Sequence, residues 1–285
     1  MSIHTHVEAF FKNKRVVIAT MHKKENIIRP LLKKMLGVDA YVPEGFNTDV
    51  FGTFTREVKR TGDQLEAAKA KARAALKITG ADIAIASEGS FSAHPLFPQV
   101  TSNLEVVVLL DPKNAIEIVG HAQTTHTNFD QAYVSSLEEV MSFAKRIGFP
   151  EHGIIVRKSE TSKKIYKDIQ TWEELESLSK KLLKGFFTKR IFLEADMRAH
   201  RNPTRMISIE QAALDMIESI TRTCPQCARI GFSKKKYIKG LNCSSCGLST
   251  DVPGIFLYEC EGCLTQEERK EGDVAPPEMC SFCNP

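Results

Sequence analysis

The feature that most constrains this chain is a set of eight cysteines, all of which lie between Cys224 and Cys283. They form four Cys-x-x-Cys pairs: Cys224 with Cys227, Cys243 with Cys246, Cys260 with Cys263, and Cys280 with Cys283. Eight thiolates can supply two tetrahedral zinc sites of four cysteines each, and a site with four protein ligands has no position left for a substrate. The sequence therefore predicts that residues 221–285 form a small ribbon-type domain around two structural zinc ions.

Two ways of sharing these ligands are compatible with the spacing. The intervals between successive pairs are 15, 13 and 16 residues. Sequential pairing joins the first pair with the second and the third with the fourth, whereas crossed pairing joins the first with the third and the second with the fourth. Sequential pairing agrees with the spacing of zinc ribbons and is slightly preferred. Because the region has few large apolar side chains, we expect it to need the metal for folding.

Composition sets the broad class of the protein. A chain of 285 residues, 42% hydrophobic and 26% charged, has room for roughly two globular domains. No apolar run approaches the ~20 residues of a membrane helix, and the N-terminus lacks the apolar segment of a signal peptide. We therefore expect a cytoplasmic protein with no membrane partner, in which paired cysteines bind metal rather than form disulfides. The net charge of +4 is too small to indicate nucleic-acid binding by itself.

Residues 1–220 show the alternating pattern of an α/β domain. Buried strands are predicted at residues 15–19, 38–42, 83–86, 105–110, 115–119, 153–156 and 191–193. Two helices are predicted to end near Leu36 and Gly80, and three more are predicted at residues 136–147, 172–183 and 206–220. The turn Asp111–Asn114 joins two of these strands as a hairpin. The sheet is therefore predicted to be mixed.

A helix, strand and loop in succession carry the first candidate site. An amphipathic helix precedes the buried strand at 83–86, and a predicted acidic loop, 87–90, follows that strand. Glu88 at the strand end and Glu66 on the helix are candidate catalytic carboxylates that could hold Mg²⁺ and orient a water. Glu66 also lies three residues after Asp63, so these two could instead form a helix capping box.

A polar loop after the first strand carries candidate phosphate ligands. Residues 20–25 connect a strand to a helix, an arrangement that presents backbone N–H groups and the positive end of the helix dipole to an anion. Lys24 at the helix start is unfavourable for that dipole unless an anion binds, although a helix-surface lysine is the alternative. Lys71 could face the same cleft or the solvent. We take Thr20, Lys24 and Lys71 as candidate phosphate-binding residues.

The densest polar cluster of the domain follows the strand at 191–193. It comprises Asp196, Arg198, His200, Arg201 and Arg205. Arginines can clamp phosphates or carboxylates bidentately, so these residues are candidates for ligand binding. The alternative is a helix start with Asn202 as the N-cap and Pro203 at the first helical position, which leaves the other charges unexplained.

Basic residues also cluster between the first two cysteine pairs, at Arg229, Lys234, Lys235, Lys236 and Lys239. A basic zinc hairpin can grip nucleic-acid phosphates, and a solvated turn is the alternative. Nucleic acid is therefore a candidate partner through Arg229–Lys239.

Several of these motifs resemble the inosine-triphosphate pyrophosphatase-like superfamily, the house-cleaning nucleotide hydrolases, over residues 14–220. Thr20 to Lys24 has the spacing of its Thr-Asn-x-x-Lys loop, and Glu66 to Ala72 resembles its Glu-Asn-Ala-x-x-Lys-Ala helix, with Glu88 where its acidic residues fall. Ala199-His200-Arg201 is similar to the Ser-His-Arg that reads the purine base. The resemblance implies a three-layer, mixed-sheet fold and Mg²⁺-dependent hydrolysis of a nucleotide phosphoanhydride.

The chain also resembles a bacterial family labelled only as a domain of unknown function, through ATMHKKE, DMRAHRNPTRM and the terminal CxxCNP. That likeness implies no activity.

Two hypotheses follow for function. The first is a nucleotide phosphohydrolase with a structural zinc module. The second is a non-catalytic nucleic-acid or protein adaptor, because the double acid usual in nucleotide hydrolases is reduced here to Ser87-Glu88.

Overall fold

A computed structural model describes residues 3–48, 63–94, 98–184 and 189–285, without the side chains of Ile3, His4 and Lys239. The chain divides into two compact units. The α/β unit is Lys14–Met216, and the cysteine-rich unit combines the N-terminal segment up to Asn13 with Ile217–Pro285. The predicted domain division between residues 220 and 221 stays a prediction.

The first sheet of the α/β unit is mixed, as the hairpin turn predicted. Its strands are β1 (Val16–Ala19), β2 (Ala40–Tyr41), β3 (Ile83–Ala93), β4 (Thr101–Asp111) and β5 (Ile116–Thr124). They lie in the order β2-β1-β3-β4-β5. β1 is parallel to β2 and β3, whereas β4 is antiparallel to both β3 and β5.

The predicted loop at residues 87–90 is wrong, because β3 continues through that segment to Ala93. The partner strand explains the difference. β4 pairs with β3 from Ala84 opposite Leu110 to Ala93 opposite Thr101, and these backbone hydrogen bonds keep the polar half of β3 extended. Ser87 and Glu88 therefore lie within a strand.

Two helices position the candidate residues near this sheet. They are α2 (Glu25–Leu36) and α3 (Gln64–Thr79). The Asp63 carboxylate accepts the Glu66 N–H at the start of α3, and Gly80, at φ 60°, ends it. The buried face of α3 consists of four alanines, Ala67, Ala68, Ala72 and Ala75, together with Lys71. The small side chains bring the helix close to the sheet.

A second sheet completes the α/β unit. It contains β6 (Gln131–Val134), β7 (Ile154–Arg157), β8 (Ile165–Tyr166) and β9 (Ile191–Ala195), in the order β6-β9-β7-β8. Helices α4 (Leu137–Ile147) and α5 (Trp172–Leu183) share one apolar core with these strands, in which Phe143 and Leu175 are buried. A polar turn after β9 leads into α6 (Pro203–Thr221).

The cysteine-rich unit contains helix α1 (Ile3–Phe11) and a three-stranded meander. The strands are β10 (Ser233–Asn242), β11 (Ser249–Glu259) and β12 (Gln266–Lys270), each antiparallel to the next. The apolar cluster of the meander is small and centres on Phe232 and Tyr258 beside Cys224 and Cys260. Across the described parts of both units, we find no helix that has the length and apolar character needed to cross a bilayer.

Candidate functional site

The four Cys-x-x-Cys segments fold into the same tight turn. In each, the amide four residues after the first cysteine donates to the carbonyl of that cysteine: Ala228 to Cys224 (2.9 Å), Gly247 to Cys243 (3.0 Å), Leu264 to Cys260 (2.9 Å) and Asn284 to Cys280 (2.8 Å). In two turns a further amide donates to the first sulfur, from Ser245 to Cys243 Sγ and from Gly262 to Cys260 Sγ, both at 3.4 Å. Each turn therefore presents two thiols from one short segment.

The meander brings these turns together in crossed pairs, so the preferred sequential pairing is wrong. One cluster contains Cys224, Cys227, Cys260 and Cys263, and the other contains Cys243, Cys246, Cys280 and Cys283. The reason is the antiparallel order of the strands. Ser233 at the start of β10 lies opposite Glu259 at the end of β11, so the turns flanking these residues share one end of the sheet. The second turn lies at the far end of β10, roughly 30 Å away for a strand of this length.

The thiol positions fit zinc. Within each cluster all ligand atoms lie within 4.8 Å of one another. Sulfurs from different turns lie 3.5 Å apart in Cys224 and Cys263, 3.6 Å in Cys227 and Cys260, 3.8 Å in Cys243 and Cys283, and 3.6 Å in Cys246 and Cys280. A tetrahedral zinc with Zn–S bonds of about 2.3 Å separates its sulfurs by about 3.8 Å, whereas a disulfide needs about 2.05 Å. Both clusters are therefore suited to a structural zinc ion.

The α/β unit contains a cluster of buried charged side chains beside β1 and β3, which we call the charge cluster. Its members are Lys24 before α2, Lys71 on α3, Glu88 on β3, Glu105 on β4 and Arg205 on α6, exposed by 5%, 7%, 3%, 0% and 2%. Thr20 and Ser87 are also buried. Burial of five ionisable groups is costly unless they are paired, so the arrangement indicates a specific role.

Two of the cations in the charge cluster have carboxylate partners. Lys71 Nζ forms an ion pair with Glu88. The Arg205 guanidinium donates to both oxygens of Glu105, from Nε at 2.7 Å and Nη2 at 3.2 Å, and from Nη1 to the Met197 carbonyl at 2.6 Å. These contacts hold Arg205 in one orientation and place Glu105 deep in the site.

Lys24 has a different environment. Its Nζ donates to the carbonyl oxygen of Ser87 at 3.2 Å and to Ser87 Oγ at 3.0 Å. Within the described residues it forms no ion pair with a carboxylate. Burial, together with the nearby charge of Arg205, lowers the pKa of Lys24 from 10.5 to about 7 and outweighs the attraction of Glu105 and Glu88. Lys24 is therefore near the midpoint of its titration at neutral pH.

The polar turn after β9 forms a second group. Asp196 is fully buried and accepts from Arg198, whose Nη2 also reaches Asp168 at 2.7 Å. Burial opposes the charge of Arg198, but its hydrogen bonds to Asp196 raise its pKa. The His200 ring stacks on that of His22, with centroids 5.1 Å apart. This stacking joins the turn to the loop that carries Lys24.

Some polar atoms of that turn lack protein partners. His200 Nδ1 and Arg201 Nε are buried without a hydrogen-bond partner in the part of the chain that the structure describes. Burial and the nearby charge of Arg198 lower the pKa of His200. Arg201 Nη2 donates to the Ile169 carbonyl at 2.6 Å. Buried donors of this kind are available to a ligand.

Of the predicted site residues, Lys24, Lys71, Glu88 and Arg205 lie in the charge cluster, Asp196 and Arg198 pair in the turn after β9, and Glu66 lies outside both groups. Glu66 lies on the first turn of α3 with its side chain 56% exposed, and it contacts Lys69 at 3.3 Å. Its N–H donates to the Asp63 carboxylate at 2.9 Å, which is the Asp63 half of the capping box given as the alternative. Its catalytic role stays a prediction, as does that of Glu88.

Sequence reasoning missed Glu105, which pairs with an arginine 100 residues away. The one available signal was an acidic residue opening the apolar run EVVVLL. The capping role proposed for Asn202 is present, because its Oδ1 accepts the Arg205 N–H at 3.0 Å. A cap and a ligand-binding role for the neighbouring charges are compatible.

The basic hairpin of the cysteine-rich unit has acidic neighbours. Lys234 Nζ lies 2.5 Å from Glu271, and Lys235 pairs with Glu261. The side chain of Lys239 lies outside the described residues. Because these carboxylates neutralise part of the basic surface, the attraction for nucleic-acid phosphates is reduced.

Comparison with known proteins identifies the family. The family described as "Domain of unknown function (DUF6671)" matches residues 71–285. The chain belongs to this family. The match includes all eight cysteines and the segment DMRAHRNPTRM, so the family resemblance seen in the sequence is confirmed. No curated protein and no solved structure matches the chain, so the likeness to nucleotide hydrolases is neither supported nor contradicted.

Gly89 makes room for the charge cluster, and its substitution is expected to destabilise the α/β unit. A Cβ at Gly89 would overlap the Glu105 carboxylate. Gly89→Ala should displace Glu105 from Arg205 and lower the free energy of unfolding by about 3 kcal/mol, because it leaves a buried charge without its partner. Denaturant unfolding followed by the fluorescence of Trp172, the single tryptophan, measures this.

Ser90→Ala is the matched control, because Ser90 follows Gly89 on the same strand and is only partly buried. It should change the free energy of unfolding by about 0.5 kcal/mol or less. A Gly89→Ala protein as stable as this control would contradict the close approach of Glu105 to the strand.

Proposed function

We propose that the α/β unit binds a phosphorylated ligand at the charge cluster, that this ligand is a nucleotide whose phosphoanhydride is hydrolysed there, and that the cysteine-rich unit is a structural zinc module. The position of the cluster supports the proposal. Thr20 follows the end of β1, and Lys24 directly precedes α2. Ligands of α/β proteins bind beyond the carboxyl ends of parallel strands, where helix N-termini favour phosphate.

The observation that carries the proposal is the charge count of the cluster. Among the residues that the structure describes, the buried cations Lys24, Lys71 and Arg205 are accompanied in the cluster by two buried carboxylates, those of Glu88 and Glu105. With Lys24 protonated, the buried cluster holds one excess positive charge. An unpaired buried charge is unfavourable, and the phosphate of a ligand would balance it.

The turn after β9 supplies further candidate contacts for the same ligand. His200 of this turn stacks on His22, in the loop that carries Lys24, and Arg198 and Arg201 flank His200 in the same turn. The unpartnered Nδ1 of His200 and Nε of Arg201 are suited to hydrogen bonds with a base or phosphate. Asp196 orients Arg198 and is assigned no direct contact.

The Mg²⁺-dependent part of the proposal involves two carboxylates that already have lysine partners. Glu88 forms an ion pair with Lys71, and Glu66 contacts Lys69 on the outer side of α3. A metal held by Glu66 and Glu88 would have to replace both lysines. The resemblance to nucleotide hydrolases and the oxygen-only ligands that Mg²⁺ prefers support this part.

Phosphate binding is tested by isothermal titration calorimetry at pH 6.5 with inorganic phosphate and with nucleoside triphosphates. Lys24→Met should weaken binding by about tenfold or more, the value expected for losing a buried charged hydrogen bond. Lys77→Met, which changes an exposed lysine of α3, should bind as the wild type does. Equal affinities of the two variants, or no binding to the wild type, would refute the anion site.

Hydrolysis is tested separately by incubating the protein with a panel of nucleoside triphosphates and Mg²⁺ and measuring released phosphate and pyrophosphate. We expect turnover that Glu88→Gln reduces strongly. Turnover unaffected by Glu88→Gln would remove Glu88 from the mechanism. Ligand binding without turnover would leave a binding domain and not an enzyme.

A non-catalytic adaptor is the second candidate, favoured by apolar side chains that the cysteine turns expose. Met279 and Phe282, both at the fourth cysteine turn, are 61% and 70% exposed. Exposed apolar side chains of this size are typical of protein-binding surfaces when they are contiguous.

Nucleic-acid binding through Arg229–Lys239 is tested by fluorescence anisotropy with labelled oligonucleotides at two salt concentrations, where binding should weaken steeply with salt.

A further inference from the structure

The side chains of Ser87 and Lys24 form an isolated polar pair within the charge cluster. Ser87 Oγ lies 3.0 Å from Lys24 Nζ, and the two residues are only 4% and 5% exposed. Within the described residues, Lys24 is the polar partner of the Ser87 hydroxyl. When Lys24 is charged it donates to Ser87 Oγ, and when Lys24 is neutral its lone pair can accept the hydroxyl proton. The pair therefore has the geometry of a nucleophile and its base.

Because the pKa of Lys24 is lowered to about 7, a substantial fraction of the molecules carries the neutral amine at neutral pH. Arg205 and Lys71 contribute positive charge from α6 and α3, and Glu105 and Glu88 contribute negative charge from β4 and β3. Because the two carboxylates are already paired with Arg205 and Lys71, they stabilise the Lys24 ammonium only partly. Serine and lysine paired in this way occur as a catalytic combination on unrelated folds.

We propose that Ser87 is the nucleophile of the site and Lys24 its general base, acting on the phosphoryl group of the bound ligand. This inference rests on the proposed function and adds a covalent step to it. Ser87 Oγ attacks the phosphorus, and its proton passes to Lys24 Nζ. The bond from phosphorus to the leaving oxygen breaks, and the leaving group departs with that electron pair as an anion.

The products of this step are a phosphoserine and a lysine ammonium. Water then attacks the phosphorus, the bond to Ser87 Oγ breaks, and phosphate is released while the hydroxyl regains a proton from Lys24. Lys71 and Arg205 provide positive charge next to the reacting groups, which favours the negative charge that develops on the transferring group. The step needs no oxidant or further reactant besides water.

A purely structural role for this pair accounts less well for the observations. A serine that only satisfied a buried lysine would leave an ammonium in the interior with one neutral side-chain partner. An apolar side chain of similar length at position 24 would avoid that desolvation. The presence of the Lys24 amine next to a hydroxyl and two further cations is consistent with a catalytic role for this residue.

The test is labelling by a small fluorophosphonate, in which Ser87 Oγ bonds to phosphorus, fluoride leaves and Lys24 takes the proton. Mass spectrometry of peptides should locate the adduct on Ser87, and the labelling rate should rise with pH around a midpoint of about 7. Lys24→Arg keeps the positive charge but is not a base at neutral pH. It should slow labelling about a hundredfold or more, the usual contribution of a general base.

Ser90→Ala and the exposed Ser92 on the same strand are the controls. Ser90→Ala should label at the wild-type rate, Ser92 should remain unmodified, and thermal unfolding should show that Lys24→Arg is folded. No adduct on Ser87, or an adduct formed equally fast in Lys24→Arg, overturns the proposal. If phosphate still binds in that case, the covalent step fails and the proposed anion site stands; if phosphate does not bind, both fail.

Discussion

Replacing Cys224 and Cys260 together by serine is expected to remove one zinc ion per chain and leave the other in place. Both residues belong to the same four-cysteine cluster, so the double variant damages a single site. Replacing Cys224 and Cys243 together should remove both ions, because these residues belong to different clusters. Metal analysis of the purified variants, against two zinc ions in the wild type, distinguishes the two cases.

Sequential pairing would reverse this result. In that arrangement Cys224 and Cys243 would share one ion, and their double variant would keep one zinc while the Cys224 and Cys260 variant lost both. A wild-type protein that contains well under two zinc ions would contradict both pairings.

Loss of zinc is also expected to unfold the meander β10 to β12. Its apolar cluster is small and consists of Phe232 and Tyr258 with Cys224 and Cys260, against which Phe256 packs. Structural zinc in small domains contributes roughly 10–16 kcal/mol of apparent binding free energy, far more than a core of that size. A chelator should therefore abolish hydrogen-exchange protection in β11, whereas Trp172 in the α/β unit should keep its native fluorescence. Retained protection in β11 without zinc would contradict a structural role of the metal.

Lys24→Met is expected to stabilise the α/β unit while weakening its binding of phosphate by about tenfold or more. In the folded protein the pKa of Lys24 is about 7, against the ordinary value of 10.5 in the unfolded chain. Between these two pH values the unfolded state binds the proton that the folded state lacks. The contribution of Lys24 therefore makes the wild type more stable as pH rises from 7 towards 10, and any loss of stability over that range comes from other groups. The same contribution is least favourable below pH 7. Methionine removes this titration and the buried charge.

The expected gain for Lys24→Met is a few kcal/mol below pH 7, with about 5 kcal/mol as the upper bound that the pKa difference allows. Denaturant unfolding at pH 6 and pH 9, followed by Trp172 fluorescence, measures the gain and its decline at high pH. Lys71→Met is the matched control, because it leaves Glu88 buried without its partner and should destabilise the unit by about 3–5 kcal/mol. If Lys24→Met destabilises the unit to a similar extent, Lys24 is structural and the excess-charge argument fails.

The opposite effects expected of Lys24→Met and Lys71→Met on stability distinguish a residue that serves ligand binding from residues that stabilise the fold. Lys71 and Arg205 have carboxylate partners and contribute to the folded state. Lys24 is unfavourable in the absence of an anion, which is the behaviour expected of a residue retained for binding or chemistry.

Local sequence signals predicted helices well and strand extent poorly. Asp63 and Gly80 bound α3 at the predicted places, because capping and helix termination depend on residues a few positions apart. The polar half of β3 was predicted as a loop because Ser87 to Ser90 carry none of the apolar pattern of a strand. Its extended conformation depends on β4, which begins at Thr101 and supplies the hydrogen bonds.

The sequence by itself determined the candidate metal ligands of this protein, its family and the cationic residues of the candidate site. Cysteine pairs, arginines and lysines indicate their chemistry by residue type and spacing alone. Tertiary structure decided which thiols share an ion, since the antiparallel order of β10, β11 and β12 sets which turns meet. It also decided that Glu105 pairs with Arg205 and that Lys24 donates a hydrogen bond to Ser87. Glu66, in contrast, lies apart on the outer side of α3. Such contacts join residues far apart in the chain, and burial, which sets the pKa of Lys24, exists only once the chain has folded around it.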